Sequence, residues 1–250
     1  LVGGPGFSFA PIERFLNAYQ GAAKGGRVVL PKGFDFAAIA LPQNPGGVAN
    51  LEPAASVSVL EANRLLDGLD VVPHISCKDA NADAIVSSLV GFRKAGVTSV
   101  LALTGDKPVS AKGVFDLESV GLLRLIRKMN HDAYLGAKPE ALAGVHQFIP
   151  GAAVSPFKYS EATQMQQYYK MEKKVRCGAA FLITQVGWDW RKSLELFTYL
   201  KERRIDVPVI GNVYLLSTIP PAPRLMHDIK LPGCFVSDEL LAKVYSEKLD

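Results

Sequence analysis

The sequence predicts an α/β protein of repeated strand–helix units built around parallel strands. Short apolar runs alternate with longer helical periodicities along most of the chain. Six strand-like runs are each followed by a helix-like stretch, and repeated β–α alternation gives a parallel sheet with crossover helices. The chain has 250 residues, 48% hydrophobic and 21% charged, which suits one globular domain over 1–250.

The elements follow in order. Pro11 to Ala23 is expected as a helix, with Pro in its first turn and Ile12, Phe15, Leu16 and Tyr19 on one face. Asp35 to Leu41 reads as a strand, Ser56 to Leu69 as a helix and Val71 to Ile75 as a strand. Asn81 to Ala95 is a helix ended by Gly96, and Ser99 to Leu103 a strand running into Thr104-Gly105-Asp106. Ser119 to Met129 is helical, and Asn130 to His146 is a surface excursion holding Gly136, Pro139 and Gly144. Gln147 to Ala153 is a strand, Glu161 to Cys177 a helix, Ala180 to Gln185 a strand and Asp189 to Arg203 a helix. Val207 to Asn212 is the sixth strand, with short helices near Pro221 to His227 and Asp238 to Glu247.

A doubly wound sheet and a closed barrel both fit this alternation. The glycine-rich stretch Gly3 to Gly6 lacks the G-x-G-x-x-G spacing of a dinucleotide fingerprint, and none follows the first strand. That favours a (β/α)8 barrel of the TIM type. The six strands would then be its second to seventh; the first would end at Leu1-Val2 and the eighth would lie beyond Asp250, so the first strand and last β–α unit are expected to be incomplete.

Composition excludes several classes. The net charge is +4 with Lys and Arg spread along the chain, which gives no nucleic-acid footprint and suits an anionic small molecule. Cys77, Cys177 and Cys234 lie far apart with no C-x-x-C pair, so neither a metal site nor a disulfide framework is indicated. Reduced thiols in a cytoplasm are the simplest expectation. No apolar run is long enough to span a bilayer, and Leu-Val-Gly-Gly-Pro-Gly at the start is no signal peptide.

Barrel chemistry sits at the C-terminal ends of strands. The polar residues there are Gln43 and Asn44, then His74, Ser76 and Cys77, then Thr104, Gly105 and Asp106. Ser155, Lys158, Gln185, Asp189, Asn212 and Tyr214 follow.

These strand ends lie in motifs with a family likeness. Pro73-His74-Ile75-Ser76-Cys77, Leu101-Ala102-Leu103-Thr104-Gly105-Asp106 and the segment Val114 to Val120 resemble successive elements of the methylenetetrahydrofolate reductases, of the bacterial, FAD-dependent type. Gly151 to Phe157 matches their next strand, and Lys173 to Gln185 resembles their Lys-Val-x-x-Gly-Ala-x-x-x-Ile-Thr-Gln signature. The likeness runs from about Asp35 to the C-terminus, with five elements in the right order.

The resemblance implies a cytoplasmic flavoprotein oxidoreductase of one-carbon metabolism, serving methionine biosynthesis. NAD(P)H would reduce FAD, and methylenetetrahydrofolate would then take the hydride to give 5-methyltetrahydrofolate by ping-pong kinetics. It implies that Asp106 lies by flavin and pterin and tunes charge, and that Gln185 hydrogen-bonds the pterin; these are the candidate catalytic residues. His74, Leu103, Thr104, Gly105, Asp106, Phe115, Ala152, Ala153, Gln167 and Lys174 are the candidate FAD contacts, Lys174 near the phosphates and Gln167 near the ribityl or ribose. Gln185, Gln43 and Tyr214 are the candidate substrate contacts; no metal is implied. The plain alternatives are a turn Asp, satisfied amides, barrel packing at the alanines and a solvated Lys.

Two departures stand out. The family's general-acid Glu belongs on the first strand, and no Glu precedes Glu13; it is expected just upstream of Leu1. A family Thr of the flavin pocket is Ala40 here, for which Gln43 would partly compensate. The competing readings are a flavin-free pterin-binding barrel methyltransferase and a barrel subunit of an electron-transfer complex fed by a partner protein. A homo-oligomer is a further expectation by likeness.

Overall fold

The computed structural model describes residues 37–49, 51–62, 69–108, 112–131, 147–158, 160–212, 214, 216, 222–228, 234, 236–246. The expected helix at Pro11 to Ala23, the strand end at Leu1-Val2 and most of the Asn130 to His146 excursion lie outside them. Among the described residues, six strands alternate with helices.

The chain divides into two compact units, one holding residues 1–118 and 128–149, the other 119–127 and 150–250. In the first unit, β1 (Ala38–Leu41), β2 (Asp70–Ser76) and β3 (Ser99–Leu103) are parallel neighbours in chain order. Helix α1 (Pro53–Ala62) connects β1 to β2, and α2 (Ala82–Lys94) connects β2 to β3. This is the alternation read from the sequence.

Local chemistry explains the helix bounds. α1 begins a turn earlier than its apolar pattern suggests because Glu52 caps it: the carboxylate accepts Ala54 N–H, and the carbonyl accepts Ser56 N–H at 3.2 Å. Pro53 then sits at the first helical position, where a missing N–H costs nothing. α2 starts at Asn81, whose side chain accepts Ala84 N–H at 2.9 Å, with Asp83 in the first turn and Arg93 and Lys94 in the last. Its buried stripe is Ile85, Val86, Leu89 and Phe92, at helical spacing.

In the second unit, β4 (Ile149–Val154), whose first residue belongs to the first unit, β5 (Phe181–Thr184) and β6 (Val209–Ile210) are again parallel. α4 (Glu161–Arg176) and α5 (Trp190–Glu202) make the crossovers, and α6 (Ala222–His227) and α7 (Asp238–Ser246) follow. α3 (Ser119–Asn130) contributes its first nine residues to this unit, with Leu122, Leu123 and Ile126 fully buried. A capping box opens α4, Ser160 Oγ accepting Thr163 N–H and Thr163 Oγ1 accepting Ser160 N–H. α4 and α5 are joined by Tyr168 donating to Glu195 at 3.2 Å and Tyr199 donating to Glu172 at 2.7 Å.

Two strands differ from expectation for identifiable reasons. β4 starts at Ile149, not Gln147, because Asn130 takes both backbone groups of Phe148: Oδ1 accepts its N–H at 3.0 Å and Nδ2 donates to its carbonyl at 2.8 Å. β6 has two residues because Pro208 has no N–H to offer, and Asn212 N–H turns to the Thr184 hydroxyl at 2.9 Å. Among the described residues no helix is long and apolar enough to cross a membrane.

Candidate functional site

The C-terminal ends of β1, β2 and β3 are tied to one another by their loops. Cys77 N–H, just past β2, donates to the carbonyl of Leu103, the last residue of β3, at 3.1 Å. Gln43, just past β1, accepts the N–H of Ser76 through Oε1 at 2.7 Å and donates from Nε2 to Glu52 at 3.3 Å. Both ends of the Gln43 amide are therefore engaged inside the protein. Gly46 N–H, in the turn after β1, donates to Asp106 Oδ2 at 3.0 Å. This fixes the Asp106 carboxylate at the strand ends, partly exposed.

Gly105, one residue earlier, has φ +95°, and a Cβ there would lie 2.2 Å from Ser76 Oγ and 2.8 Å from Lys78 Cβ. Glycine lets the β3 loop lie against the β2 loop. Lys78 is buried and its ammonium pairs with Asp79, whose carboxyl is held below the usual range by that hydrogen bond and by Val114 N–H. Asp79 N–H donates to the Val114 carbonyl at 2.7 Å, and Lys78 bridges to Phe115, so the 112–116 segment is laid beside the β2 loop with the Phe115 ring 42% exposed. Thr104 is partly buried between Leu103 and Gly105.

His74 lies within β2, opposite Leu101 of β3. Burial without a compensating charge pushes its pKa down to about 4. The imidazole is neutral at pH 7 and serves as a polar, uncharged surface. The linked stability follows by sign. In the unfolded chain His takes up a proton near 6.5; in the fold it resists until about 4. The unfolded state thus binds more protons between those values, and stability is lost as pH falls from about 6.5 to 4, by up to ~3 kcal/mol. Urea unfolding at pH 7 and pH 4.5 should show a smaller difference in His74→Gln than in wild type by about 2.5 kcal/mol. Equal pH dependence in the two proteins would mean that burial does not hold this ring neutral.

The second unit has its own strand-end cluster. Ala152 is fully buried and Ala153 partly so, and the Ala153 carbonyl accepts the ammonium of Lys174 at 2.6 Å. Lys174 is 9% exposed, so it is a buried side chain of α4 that reaches the β4 backbone and not a solvated helix-surface Lys. Gln167, earlier on α4, is partly exposed. Gln185 follows β5; its N–H donates to the Val154 carbonyl at 2.8 Å and its Oε1 accepts Val186 N–H at 3.1 Å. Tyr214 is 42% exposed, accepts Trp188 Nε1–H on its carbonyl at 3.0 Å, and meets the Trp188 ring edge-on at 6.1 Å. Among the described residues no cluster of three or more His, Cys, Asp or Glu could hold a metal.

The sequence model of the methylenetetrahydrofolate reductases matches residues 46–245. The chain belongs to the methylenetetrahydrofolate reductase family. The 5,10-methylenetetrahydrofolate reductases of Salmonella typhimurium and Escherichia coli are each 24% identical over 179 residues, 70% of this chain and 55% of theirs. Methylenetetrahydrofolate reductase 2 of Schizosaccharomyces pombe is 24% identical over 210 residues, 78% of this chain and 31% of that protein. The chain thus spans about half the length of its bacterial relatives. A solved structure of an uncharacterized protein from Clostridium thermocellum, which binds two copies of 5-methyl-5,6,7,8-tetrahydrofolic acid, matches with a TM-score of 0.58 at 11% identity. That match covers 98% of this chain and 73% of the other, and at such identity it shows the α/β fold alone.

Two residues that organise these strand ends, Glu52 and Gln164, are not among the candidates read from the sequence, and a third, Ser76, is read there without its role. Glu52 was readable as an acid immediately before Pro53 at a helix start. Ser76 was read as a strand-end polar residue but not as the hydroxyl on which Gly105 packs. Gln164 is fully buried, donating to the Ser155 carbonyl at 3.0 Å and accepting Lys158 N–H at 3.1 Å. Its signal was position: it stands four residues before Tyr168 and seven before Met171, on the buried face of α4.

Proposed function

We propose that this chain is a methylenetetrahydrofolate reductase, converting 5,10-methylenetetrahydrofolate to 5-methyltetrahydrofolate with NAD(P)H as hydride source and FAD as cofactor. In this reading the parallel β–α units form one (β/α)8-barrel catalytic domain over 1–250. The observation that carries it is the Asp106 carboxylate held at the C-terminal ends of the strands by Gly46 N–H, inside a chain of this family.

Taken unit by unit, the groups at the strand ends suit a flavin. His74 offers an uncharged imidazole, Ala152 and Ala153 are small residues at the β4 end, and Ser155 Oγ is buried with no hydrogen-bond partner among the described residues. Uncharged donors and small side chains suit a neutral heteroaromatic edge. Lys174, its ammonium on the Ala153 carbonyl, is the proposed phosphate contact, and Leu103, Thr104, Gly105, Phe115 and Gln167 complete the proposed contacts. Bound FAD would supply the hydride relay between nicotinamide and folate.

The chain's own residues then orient and stabilise. Cationic charge that develops on the substrate would be opposed by the fixed carboxylate of Asp106 without reorganisation. Gln185 presents an amide, donor and acceptor together, as a pterin edge requires. Gln43 and Tyr214 are proposed as neighbouring substrate contacts.

An anaerobic absorbance experiment tests the proposal. The purified protein, reconstituted with FAD where needed, should show a flavin band that bleaches with NADH or NADPH and returns on addition of methylenetetrahydrofolate. A protein that takes up no flavin overturns the reading and favours a flavin-free pterin barrel. Flavin that neither nicotinamide reduces favours a protein electron donor.

A further inference from the structure

We infer that Glu52, acting through Gln43, is a positioning residue for Asp106. This rests on the reading of Asp106 given above, and the geometry lies wholly within the first unit.

Glu52 divides its two oxygens between two tasks. Oε2 accepts Ala54 N–H at the start of α1, and Oε1 accepts Gln43 Nε2–H at 3.3 Å. Gln43 in turn gives Oε1 to Ser76 N–H at 2.7 Å. An amide facing a backbone N–H on one side and a carboxylate on the other has one workable orientation. Glu52, being acceptor-only when ionised, selects it.

Between Gln43 and Glu52 runs the turn that holds Asp106. Asn44 is left-handed at φ 46°, Gly47 N–H donates to the Asn44 carbonyl at 3.1 Å, and Gly46 N–H points to Asp106 Oδ2 at 3.0 Å. The Gln43–Glu52 contact closes this nine-residue separation into a loop and ties its base to β2 at Ser76. The N–H that grips Asp106 is therefore located by a contact made at the base of its own loop. The hydrogen bonds of Glu52 go to Gln43 and the start of α1, and that of Asp106 to Gly46, so the effect of Glu52 travels through the loop.

A swap of hydrogen-bonding character separates this role from simple capping. Glu52→Gln can keep one oxygen on Ala54 N–H but then turns an NH2 toward the Gln43 NH2, donor against donor. Glu52→Gln combined with Gln43→Glu restores donor to acceptor, leaves an oxygen for Ser76 N–H, and conserves net charge. The readouts are the Gly46 amide resonance by NMR on the full chain and steady-state turnover, with circular dichroism as the folding check.

The expected result is a Gly46 amide proton that moves upfield in Glu52→Gln toward its position in Asp106→Ala. kcat falls about tenfold, the rate equivalent of one hydrogen bond, with little change in KM. The double variant returns the Gly46 amide resonance toward its wild-type position. A folded Glu52→Gln with an unmoved Gly46 amide overturns the inference, as does a double variant whose Gly46 amide stays where the single variant's lies. Amide shifts that follow this pattern while Asp106→Ala retains full turnover uphold the positioning and instead sink the catalytic reading of Asp106.

Discussion

Under the proposed function, Asp106→Asn is expected to lower kcat/KM for methylenetetrahydrofolate by about 10²- to 10³-fold, with flavin retained and the melting temperature nearly unchanged. The substitution is close to isosteric. The Asn side-chain oxygen can still accept Gly46 N–H, which donates to Asp106 Oδ2 at 3.0 Å, so the turn after β1 keeps its anchor. What is lost is one negative charge at a strand end. A preorganised charge facing developing charge of opposite sign is worth several kcal/mol in the transition state, and removing one such group from other enzymes costs 10²–10³-fold. A contact made equally in ground and transition states would instead raise KM and spare kcat. Steady-state kinetics, a flavin spectrum and a thermal melt on the same preparation decide the matter. Near-normal turnover in a folded, flavin-loaded Asp106→Asn would leave Asp106 as a turn residue that ties two loops together, the plain alternative for an Asp in this position.

That plain alternative marks how far the sequence was legible. The alternation of elements was readable because each helix carries its period and its stops: Asn81 and Ser160 cap where an amide or hydroxyl precedes an apolar periodicity, and both helices begin there. The polar strand ends were readable as polar residues after apolar runs, and the family motifs ordered them. What could not be read was the partner of each group. Nothing local in the sequence says that Gln43 reaches both Ser76, thirty-three residues on, and Glu52. Nor does it say that Lys174 turns inward to the Ala153 carbonyl, since a Lys in a charged helix end usually faces water. Such pairings are fixed by strand register, which brings distant residues level across the sheet and has no local signature. The shortened β4 fails for the same reason, because Asn130 acts on it from another element, whereas β6 is cut short locally by Pro208.

Gly47→Ala is expected to destabilise the protein by about 3 kcal/mol and to loosen Asp106 at the same stroke. Gly47 has φ +77°, and a Cβ there would lie 2.0 Å from the carbonyl oxygen of Lys107 and 2.8 Å from its carbon. The obstacle is backbone, which cannot rotate away as a side chain could. Accommodating a methyl group means driving the turn after β1 off the Lys107-Pro108 segment, and Gly46 N–H would move with it, away from Asp106. Gly46 supplies the internal control. It has a similar φ of +67°, yet a Cβ there would meet nothing within 4 Å. Gly46→Ala should therefore carry only the cost of a left-handed alanine, about 1 kcal/mol. Denaturant unfolding of the two variants isolates the steric part, because the conformational penalty is common to both. A gap of about 2 kcal/mol between them, with turnover falling further in Gly47→Ala, would show that contact between the β1 and β3 loops, beyond the glycine conformation, holds the carboxylate in place. Equal losses would mean that the loops part without cost and that Asp106 is located by other means.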